Sequence, residues 1–222
     1  MIKFKNIDVV GWEHAIRGMR NPMNSWEKSD SLFHLMVDDD RPEDFIGQND
    51  LKLMTKLSKA GNDHGKFLRQ IIVYMDILAP LYWWKEFDTY KVGTVANSCS
   101  TMHKIQAKEF TIDDFSCEHL QNLKGYKSTK TGFEVALFET TFRNIIDSLN
   151  SARKLYLQTG DKQYWWQMIQ LLPSSYNQLR TVSLNYQVLK NMYHARKNHK
   201  LDEWINFCKT VEKLPCFEEL IK

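Results

Sequence analysis

The chain has 222 residues, 43% hydrophobic and 26% charged, which supplies material for a sizeable core and excludes the composition of a disordered protein. Its net charge of +3, from 30 Lys and Arg against 27 Asp and Glu, is too small to indicate a nucleic-acid surface. The N-terminus lacks the apolar centre of a signal peptide, and no apolar run approaches the roughly 20 residues that span a bilayer, so we expect a cytoplasmic protein with no membrane segment.

The N-terminal half alternates between strand and helix patterns. Alternating or β-branched runs predict strands, and apolar residues three and four positions apart predict helices. In chain order we expect a strand at 2–10, a short helix at 13–26, a surface loop at 37–45, a helix at 49–61, a strand at 71–77 and a helix at 79–87.

The C-terminal half is predicted to be helical nearly throughout. Residues 105–130 are polar and are expected to be irregular, with one short helix near 112–123. Beyond them the predicted helices are 133–158, 163–171, 174–195 and 199–214. No repeat or low-complexity linker divides the chain. The sequence therefore predicts a single α+β domain over residues 1–222, with a small sheet and a mostly helical C-terminal half.

The sequence offers little support for common catalytic motifs. The four cysteines show neither CxxC pairing nor a His at zinc spacing, so we expect reduced thiols, no disulfide framework and no metal site. Cys99 and His103 have the spacing of a helical nucleophile and base, but no third group orients them, and a packed, unreactive cysteine is the expectation. Neither GxGxxG nor GxxxxGK(S/T) occurs. The tryptophan pairs at 83–84 and 165–166 are interpreted as core or as stacking platforms for bases or flavin.

The segment 169–215, IQLLPSSYNQLRTVSLNYQVLKNMYHARKNHKLDEWINFCKTVEKLP, carries a family resemblance. It resembles the C-terminal part of flavin-dependent thymidylate synthases, in which a Leu-Pro leads through an Asn-containing helix to an arginine and then to an amphipathic helix. The residues that carry the resemblance are, in order, Leu172, Pro173, Asn185, Leu189, Arg196, His199, Trp204 and Ile205.

Upstream segments are also similar to that family. NDHGKFLRQIIVYMDI resembles its HxSPFEHxxFxF segment, with His64 and Phe67 at matching places, and AIRGMRN resembles its early AAR segment. Segment 88–104, DTYKVGTVANSCSTMHK, falls where the family carries R-H-R-x-x-S-x-x-x-x-S-x-R. Hydroxyl groups are retained there, but the Arg-His-Arg triplet is replaced by Asp88-Thr89-Tyr90 or, one residue along, by Thr89-Tyr90-Lys91.

The resemblance implies a homotetramer with sites formed between subunits, and a flavin reaction in which FAD carries the hydride and a folate and NADPH are co-substrates. It implies that Arg196 is a catalytic residue that contacts the pyrimidine of the substrate. It implies FAD-binding roles for His64, Asn97, Asn185 and His199, and substrate-binding roles for Lys91, Thr94, Ser98, Ser100 and Arg196.

Each of these residues also has a structural interpretation. Arg196 is equally explained as a solvated arginine favoured by the dipole at a helix C-terminus. His64 is explained as a histidine at the start of a strand whose hydrogen bonds are made within the protein, and Asn185 as a residue that caps a local packing arrangement. An arginine side chain can hold a phosphate through two parallel hydrogen bonds, which a lysine cannot do. The absence of the Arg-His-Arg triplet therefore leaves two possibilities for the ligand. Either other cations bind a differently placed anion, or the ligand differs; these cations are Lys85, Lys91, His103 and Arg196.

Three functions stay open on the sequence. The first is a flavin-dependent thymidylate synthase-like transferase that binds FAD and a pyrimidine deoxynucleotide, acts in nucleotide biosynthesis and methylates or alkylates C5 of dUMP. The second is a non-catalytic or altered-substrate descendant that binds nucleotides or modifies pyrimidines in DNA. The third is a helical interaction protein whose aromatic segments form core or an oligomer interface.

Overall fold

A computed structural model describes residues 2–36, 42–128 and 132–222. The strands are β1 Lys3–Val10, β2 Leu32–Met36, β3 Pro42–Phe45, β4 Ile72–Pro80, β5 Thr94–Ser98, β6 Asn122–Ser128, β7 Gly132–Leu137 and β8 Asn177–Asn185. The α-helices are α1 Trp12–Arg20, α2 Gln48–Lys59, α3 Leu81–Phe87, α4 Thr101–Lys104, α5 Phe138–Thr159, α6 Lys162–Leu171, α7 Tyr186–Arg196, α8 Asp202–Val211 and α9 Phe217–Leu220.

The main sheet is small and has four strands in the order β1-β4-β8-β5. Strand β4 shows why the chain pairs here, because Val73, Met75 and Ile77 are fully buried while Tyr74 between them is exposed. This period of two places one face of the strand in the core. Two antiparallel two-stranded sheets, β2 with β3 and β6 with β7, complete the strand content. The α+β class with a small sheet and helix-rich C-terminal half is confirmed.

The predicted helix at 174–195 is wrong over its first half, because Asn177–Asn185 is strand β8. Val182 and Leu184 are buried at alternate positions, and β8 lies between β4 and β5 in the sheet. Both of its edges therefore have strand partners, and this long-range pairing outweighs the local helical spacing. The chain turns helical only at Tyr186, where α7 begins.

Two hairpins replace predicted loop or helix. Residues 42–45 of the expected acidic loop form β3, while residues 37–41 lie outside the described part of the chain. Asn122–Ser128, which begins at the end of the short helix predicted near 112–123 and continues into the segment expected to be irregular, forms β6. Gly132–Leu137 forms β7, although a helix is predicted from 133. The long helix starts only at Phe138. In both cases the segment has too few apolar residues to predict a strand. Its backbone N–H and C=O groups form hydrogen bonds with the partner strand of the hairpin.

The chain forms two compact units, each with its own buried side chains. The first unit comprises residues 1–3, Leu78–Glu86 and Ser98–Arg180. It contains the α5–α6 pair and a core cluster of Ile105, Phe110, Phe115, Phe142, Ile146, Leu149, Ala152 and Met168. The second unit comprises Phe4–Ile77, Phe87–Asn97 and Thr181–Lys222. A single domain over the whole chain stays a prediction.

The tryptophan pairs have different environments. Trp83 and Trp84 are both almost completely buried and pack edge to face, so they belong to the core rather than to an open stacking platform. Trp166 keeps 43% of its surface exposed beside Trp165 on α6. Among the described residues, no helix is long and apolar enough to cross a bilayer.

Candidate functional site

Arg196 lies in the last turn of α7, where its positive charge suits the negative end of the helix dipole. Its Nε donates a 3.0 Å hydrogen bond to the hydroxyl oxygen of Tyr90. Its guanidinium carbon lies 4.9 Å from the ring centroid of Trp204 and 5.7 Å from that of Tyr90. Because Trp204 is fully buried, these contacts fix the plane of the guanidinium rather than leaving it solvated. We call Tyr90, Arg196 and Trp204 the arginine cluster.

The residues before β5 pack against the start of α7. Asn185 is the N-cap of this helix, and its side-chain oxygen accepts from the Val188 backbone N–H at 3.0 Å. Gly93 has a φ of +81°, and a Cβ there would lie 2.7 Å from Asn185 Nδ2. Only glycine fits this approach without strain. The Thr94 hydroxyl donates to the Tyr90 carbonyl, which closes the turn that carries Tyr90.

His199 lies in the turn between α7 and α8. Its Nδ1 accepts a 3.1 Å hydrogen bond from the Leu201 backbone N–H, so neutral His199 carries its proton on Nε2. The imidazole centroid is 6.3 Å from that of Trp204. The structure therefore brings His199 and Arg196 against the same tryptophan.

Three other predicted residues in the second unit do not join the arginine cluster through their side chains. His64, Lys91 and Asn97 are exposed. Among the described residues, none of their side chains makes a hydrogen bond, an ion pair or a ring contact with Arg196. Their assigned binding roles stay predictions.

In the first unit, Ser100 lines a cavity of about 250 Å³ together with Thr101, Lys104, Tyr176 and Gln178. The Ser100 side chain accepts from the His103 backbone N–H at 3.1 Å and caps the short helix α4. Ser98, at the end of β5, is exposed and does not line this cavity. Hydroxyl, amide and ammonium groups at the same opening suit a polar ligand group that forms hydrogen bonds.

Charge around this cavity is nearly balanced. Lys108 and Asp114 form an ion pair at its wall, while Lys104 makes no ion pair within the described ranges. Burial raises the pKa of the Tyr176 hydroxyl, and the negative charge of Asp114 raises it further. Tyr176 is therefore a neutral hydrogen-bonding group at physiological pH. Cys99 also lines the cavity and is exposed, so the expectation that it would be packed is wrong.

Gln178 holds the backbone of the cavity wall. Its Nε2 donates to the Cys99 carbonyl at 2.9 Å, and its Oε1 accepts from Arg180 Nε at 3.0 Å. Arg180 stacks over the Trp84 ring at 4.2 Å, and Trp84 Nε1 donates to the Gln178 carbonyl at 3.0 Å. The backbone at Cys99 is thus linked through Gln178 to the stacked side chains of Arg180 and Trp84. A helix over 174–195, as predicted from the sequence, would not place Gln178 in this arrangement.

No protein-family model and no curated protein sequence matches the chain. Solved structures match it in fold. Thymidylate synthase X (ThyX) from Helicobacter pylori, crystallised with FAD and dUMP, aligns over 100% of this chain and 96% of its own, with 16% identity and a TM-score of 0.65. A UMP/dUMP methylase, PolB from Streptomyces cacaoi bound with 5-Br dUMP, aligns over 96% of this chain and 88% of its own, with 14% identity and a TM-score of 0.57.

The chain has the flavin-dependent thymidylate synthase fold. The resemblance seen in the C-terminal sequence is therefore confirmed at the level of fold. Sequence reasoning singled out Arg196 and His199 on this fold, but it missed Trp204 as the ring beneath them and Tyr90 as a partner of Arg196. In the sequence, Trp204 stands out only as a position that matches the family, and Tyr90 only as a residue at the place of the Arg-His-Arg triplet.

Proposed function

We propose that this protein binds FAD and a pyrimidine deoxynucleotide and methylates C5 of dUMP. The observation that carries the proposal is the full-length fold shared with a synthase crystallised with FAD and dUMP. The oriented guanidinium of Arg196 supports it, since this is the residue that the sequence resemblance assigns to the pyrimidine. A homotetrameric assembly, a cytoplasmic location, and folate and NADPH as co-substrates are parts of the same proposal.

In this mechanism Arg196 binds the pyrimidine. A guanidinium held between Tyr90 and Trp204 donates hydrogen bonds from a fixed position, so it stabilises negative charge that develops on a ring carbonyl oxygen without reorganising. When a ring carbonyl oxygen gains negative charge, the charge distribution of the conjugated pyrimidine changes as well. Stabilising that charge therefore makes C5, the carbon to be methylated, more reactive. His199 packs against the same tryptophan, and its Nε2–H is a further hydrogen-bond donor beside the arginine cluster.

FAD, when bound, supplies the hydride and makes a protein nucleophile unnecessary. The donor set suits a flavin nucleotide in its chemistry, because imidazole and amide groups hydrogen-bond flavin nitrogens, carbonyls and phosphates. His64 and Asn97 are exposed and therefore accessible to such a ligand. Asn185 fits less well, because it is buried, its oxygen caps α7 and its nitrogen lies against Gly93.

The anionic part of the nucleotide needs cations other than the lost arginines. Lys91, Thr94, Ser98 and Ser100 are proposed as substrate-binding groups. Lys104 at the Ser100 cavity adds an ammonium group that the sequence interpretation did not consider. Lys is a point charge without the bidentate geometry of Arg, so weaker orientation of the phosphate is expected.

The altered-substrate alternative is favoured by one specific observation. Tyr90, in the place of a signature residue, accepts a hydrogen bond from Arg196. The position has therefore acquired a structural role in orienting Arg196. This arrangement is compatible with a pyrimidine ligand other than dUMP.

Three measurements separate these functions. The protein as purified, or after incubation with FAD, should show the visible absorbance of oxidised flavin and should gain thermal stability with FAD and then with dUMP. A colourless protein that gains no stability with FAD contradicts the proposal and favours the helical interaction protein. Complementation of a thymidine auxotroph then distinguishes dUMP methylation from the altered-substrate function.

Variants of Arg196 test its role within this proposal. Arg196→Gln should weaken dUMP binding to the FAD-loaded protein by about tenfold or more, since a charge-assisted hydrogen bond is lost. Arg69→Gln, at an exposed arginine in the same unit, is the matched control and should leave the affinity unchanged. Equal affinities for both variants would show that Arg196 does not contact the nucleotide.

A further inference from the structure

A second cavity, of about 140 Å³, lies in the second unit at the end of α1. It is lined on one side by Ile16, Arg17 and Arg20 from α1, and on the other by Trp26, Ser29 and Phe33. None of these residues belongs to the arginine cluster or to the positions assigned to nucleotide and flavin. A cavity of about 150 Å³ holds one benzene-sized ring, so this volume suits a single aromatic ring and excludes a whole nucleotide.

Arg20 lines the cavity and belongs to a buried ion pair with Asp50, which lies behind the lining; we call this pair the floor. Arg20 is only 4% exposed, and its Nε and Nη2 contact Asp50 Oδ1 at 2.7 and 2.6 Å, while its Nη1 donates to the Ser25 carbonyl at 3.2 Å. These contacts use three of the five N–H groups of the guanidinium. Two N–H groups of Arg20 therefore have no acceptor among the described residues.

Asp50 makes this floor rigid. Its other oxygen accepts from the hydroxyls of Ser29 and Ser31, both at 2.7 Å, and from the backbone N–H groups of residues 30 and 31. Burial raises the pKa of Asp50, but the hydrogen bonds from Ser31, Ser29 and Arg20 outweigh burial and the pKa lies below its usual value. The pair stays ionised, and the cavity wall is preorganised before any ligand arrives.

The rim supplies a second cation on an aromatic surface. The Arg17 guanidinium lies 5.7 Å from the ring centroid of Trp26, and Trp26 is 42% exposed. Arg17 has no carboxylate partner within the described ranges. Glu13 is the carboxylate among the described lining residues, and it lies 3.4 Å from His34 Nε2. The rim thus presents an arginine next to apolar and aromatic walls.

We propose that this cavity binds a small planar aromatic carboxylate, with its ring between Trp26, Phe33 and Ile16 and its carboxylate on Arg17 and Arg20. A single carboxylate suits the site, because Asp50 balances the charge of Arg20 and Glu13 lies beside His34, so Arg17 is the lining cation without a carboxylate partner among the described residues. A flat ring suits it because the remaining walls are aromatic or aliphatic. The proposal is independent of nucleotide and flavin binding.

The test uses benzoate as the probe on the full chain, measured by isothermal titration and ligand-observed NMR in the absence and presence of FAD. Benzyl alcohol has the ring without the charge, and acetate has the charge without the ring. We expect benzoate to bind at least about tenfold more tightly than either compound, since charge and ring act together. No benzoate binding, or equal binding of benzyl alcohol, would overturn the proposal.

Matched variants locate the binding. Arg17→Gln and Trp26→Leu should each weaken benzoate binding by about tenfold, while Arg69→Gln and Trp166→Leu should leave it unchanged. Trp166 is a suitable control because its exposure, 43%, is close to the 42% of Trp26. All four side chains are at the surface, and circular dichroism verifies that the variants fold. Equal effects of the test and control variants would place benzoate elsewhere and contradict the proposal.

Discussion

Two pairs of residues in segment 88–104, Tyr90 with Gly93 and Ser98 with Cys99, differ in how firmly they are held. In the part within the second unit, Tyr90 is bonded to Arg196, and Gly93 packs against Asn185. In the part within the first unit, Gln178 holds the backbone of Cys99, but the side chains of Ser98 and Cys99 are exposed. Tyr90 and Gly93 are thus fixed by a hydrogen bond and by close packing, whereas Ser98 and Cys99 present their side chains to solvent. We therefore expect Tyr90 and Gly93 to control stability and the orientation of Arg196, and the exposed residues of the segment to control ligand preference.

The largest effect should come from removing the ring beneath Arg196. Trp204→Ala deletes a fully buried side chain, so it should lower the free energy of unfolding by about 3–5 kcal/mol in urea denaturation. Trp166→Ala, at a 43% exposed tryptophan in the first unit, should cost much less. Similar losses for the two variants would show that the packing around Arg196 is no tighter than at a surface site.

Gly93→Ala should have the next largest effect. Alanine at a φ of +81° is strained, and its Cβ would lie 2.7 Å from Asn185 Nδ2, so we expect a loss of about 1–3 kcal/mol. Gly61→Ala is the matched control, because Gly61 has a φ of +100° with nothing within 4 Å of its added Cβ. The difference between the two losses measures the packing against Asn185. If the losses are equal, backbone strain alone explains Gly93.

Two helix caps extend the comparison. Asn185 packs against Gly93, and Ser100 lies within residues 98–104. Asn185→Ala removes a buried cap from the 11-residue helix α7 and should cost about 1–2 kcal/mol. Ser100→Ala removes a cap from the four-residue helix α4 and should cost about 0.5 kcal/mol. Differential scanning calorimetry ranks the two, and the reverse order would break the comparison.

Tyr90→Phe should cost less stability than Trp204→Ala or Gly93→Ala. The ring stays and the hydrogen bond to Arg196 Nε is lost, so the expected cost is about 0.5–1.5 kcal/mol. Tyr74→Phe, at an exposed tyrosine of β4, is the control for loss of a phenol hydroxyl. Nucleotide affinity should fall in Tyr90→Phe alone, because Arg196 loses its orientation. An unchanged affinity would restrict Tyr90 to stability.

Much of the architecture followed from local pattern. The strand that became β4 and the helices that became α2, α6 and α8 were visible as runs of regular apolar spacing. Strand β8 was not, since Val182 and Leu184 fit either period and its identity depends on strand partners distant in sequence. The β6 and β7 hairpin was missed for the same reason.

The candidate site was predictable only in part. Arg196 and His199 followed from family spacing in a contiguous segment. Tyr90 did not, because its contact with Arg196 spans 106 residues of sequence and no local pattern reports such a pairing. Gln178 was hidden by the wrong assignment of β8, and the cavity beside Arg17 and Arg20 depends on a buried ion pair between α1 and α2 that composition cannot show.

We propose that this protein binds a pyrimidine nucleotide at Arg196 beside a flavin. A crystal structure of the protein grown with FAD and dUMP tests it most directly. We predict a pyrimidine ring whose carbonyl oxygen accepts a hydrogen bond from the Arg196 guanidinium, with the guanidinium still on Trp204. Flavin and nucleotide bound away from Arg196, or neither ligand bound at saturating concentration, would contradict it.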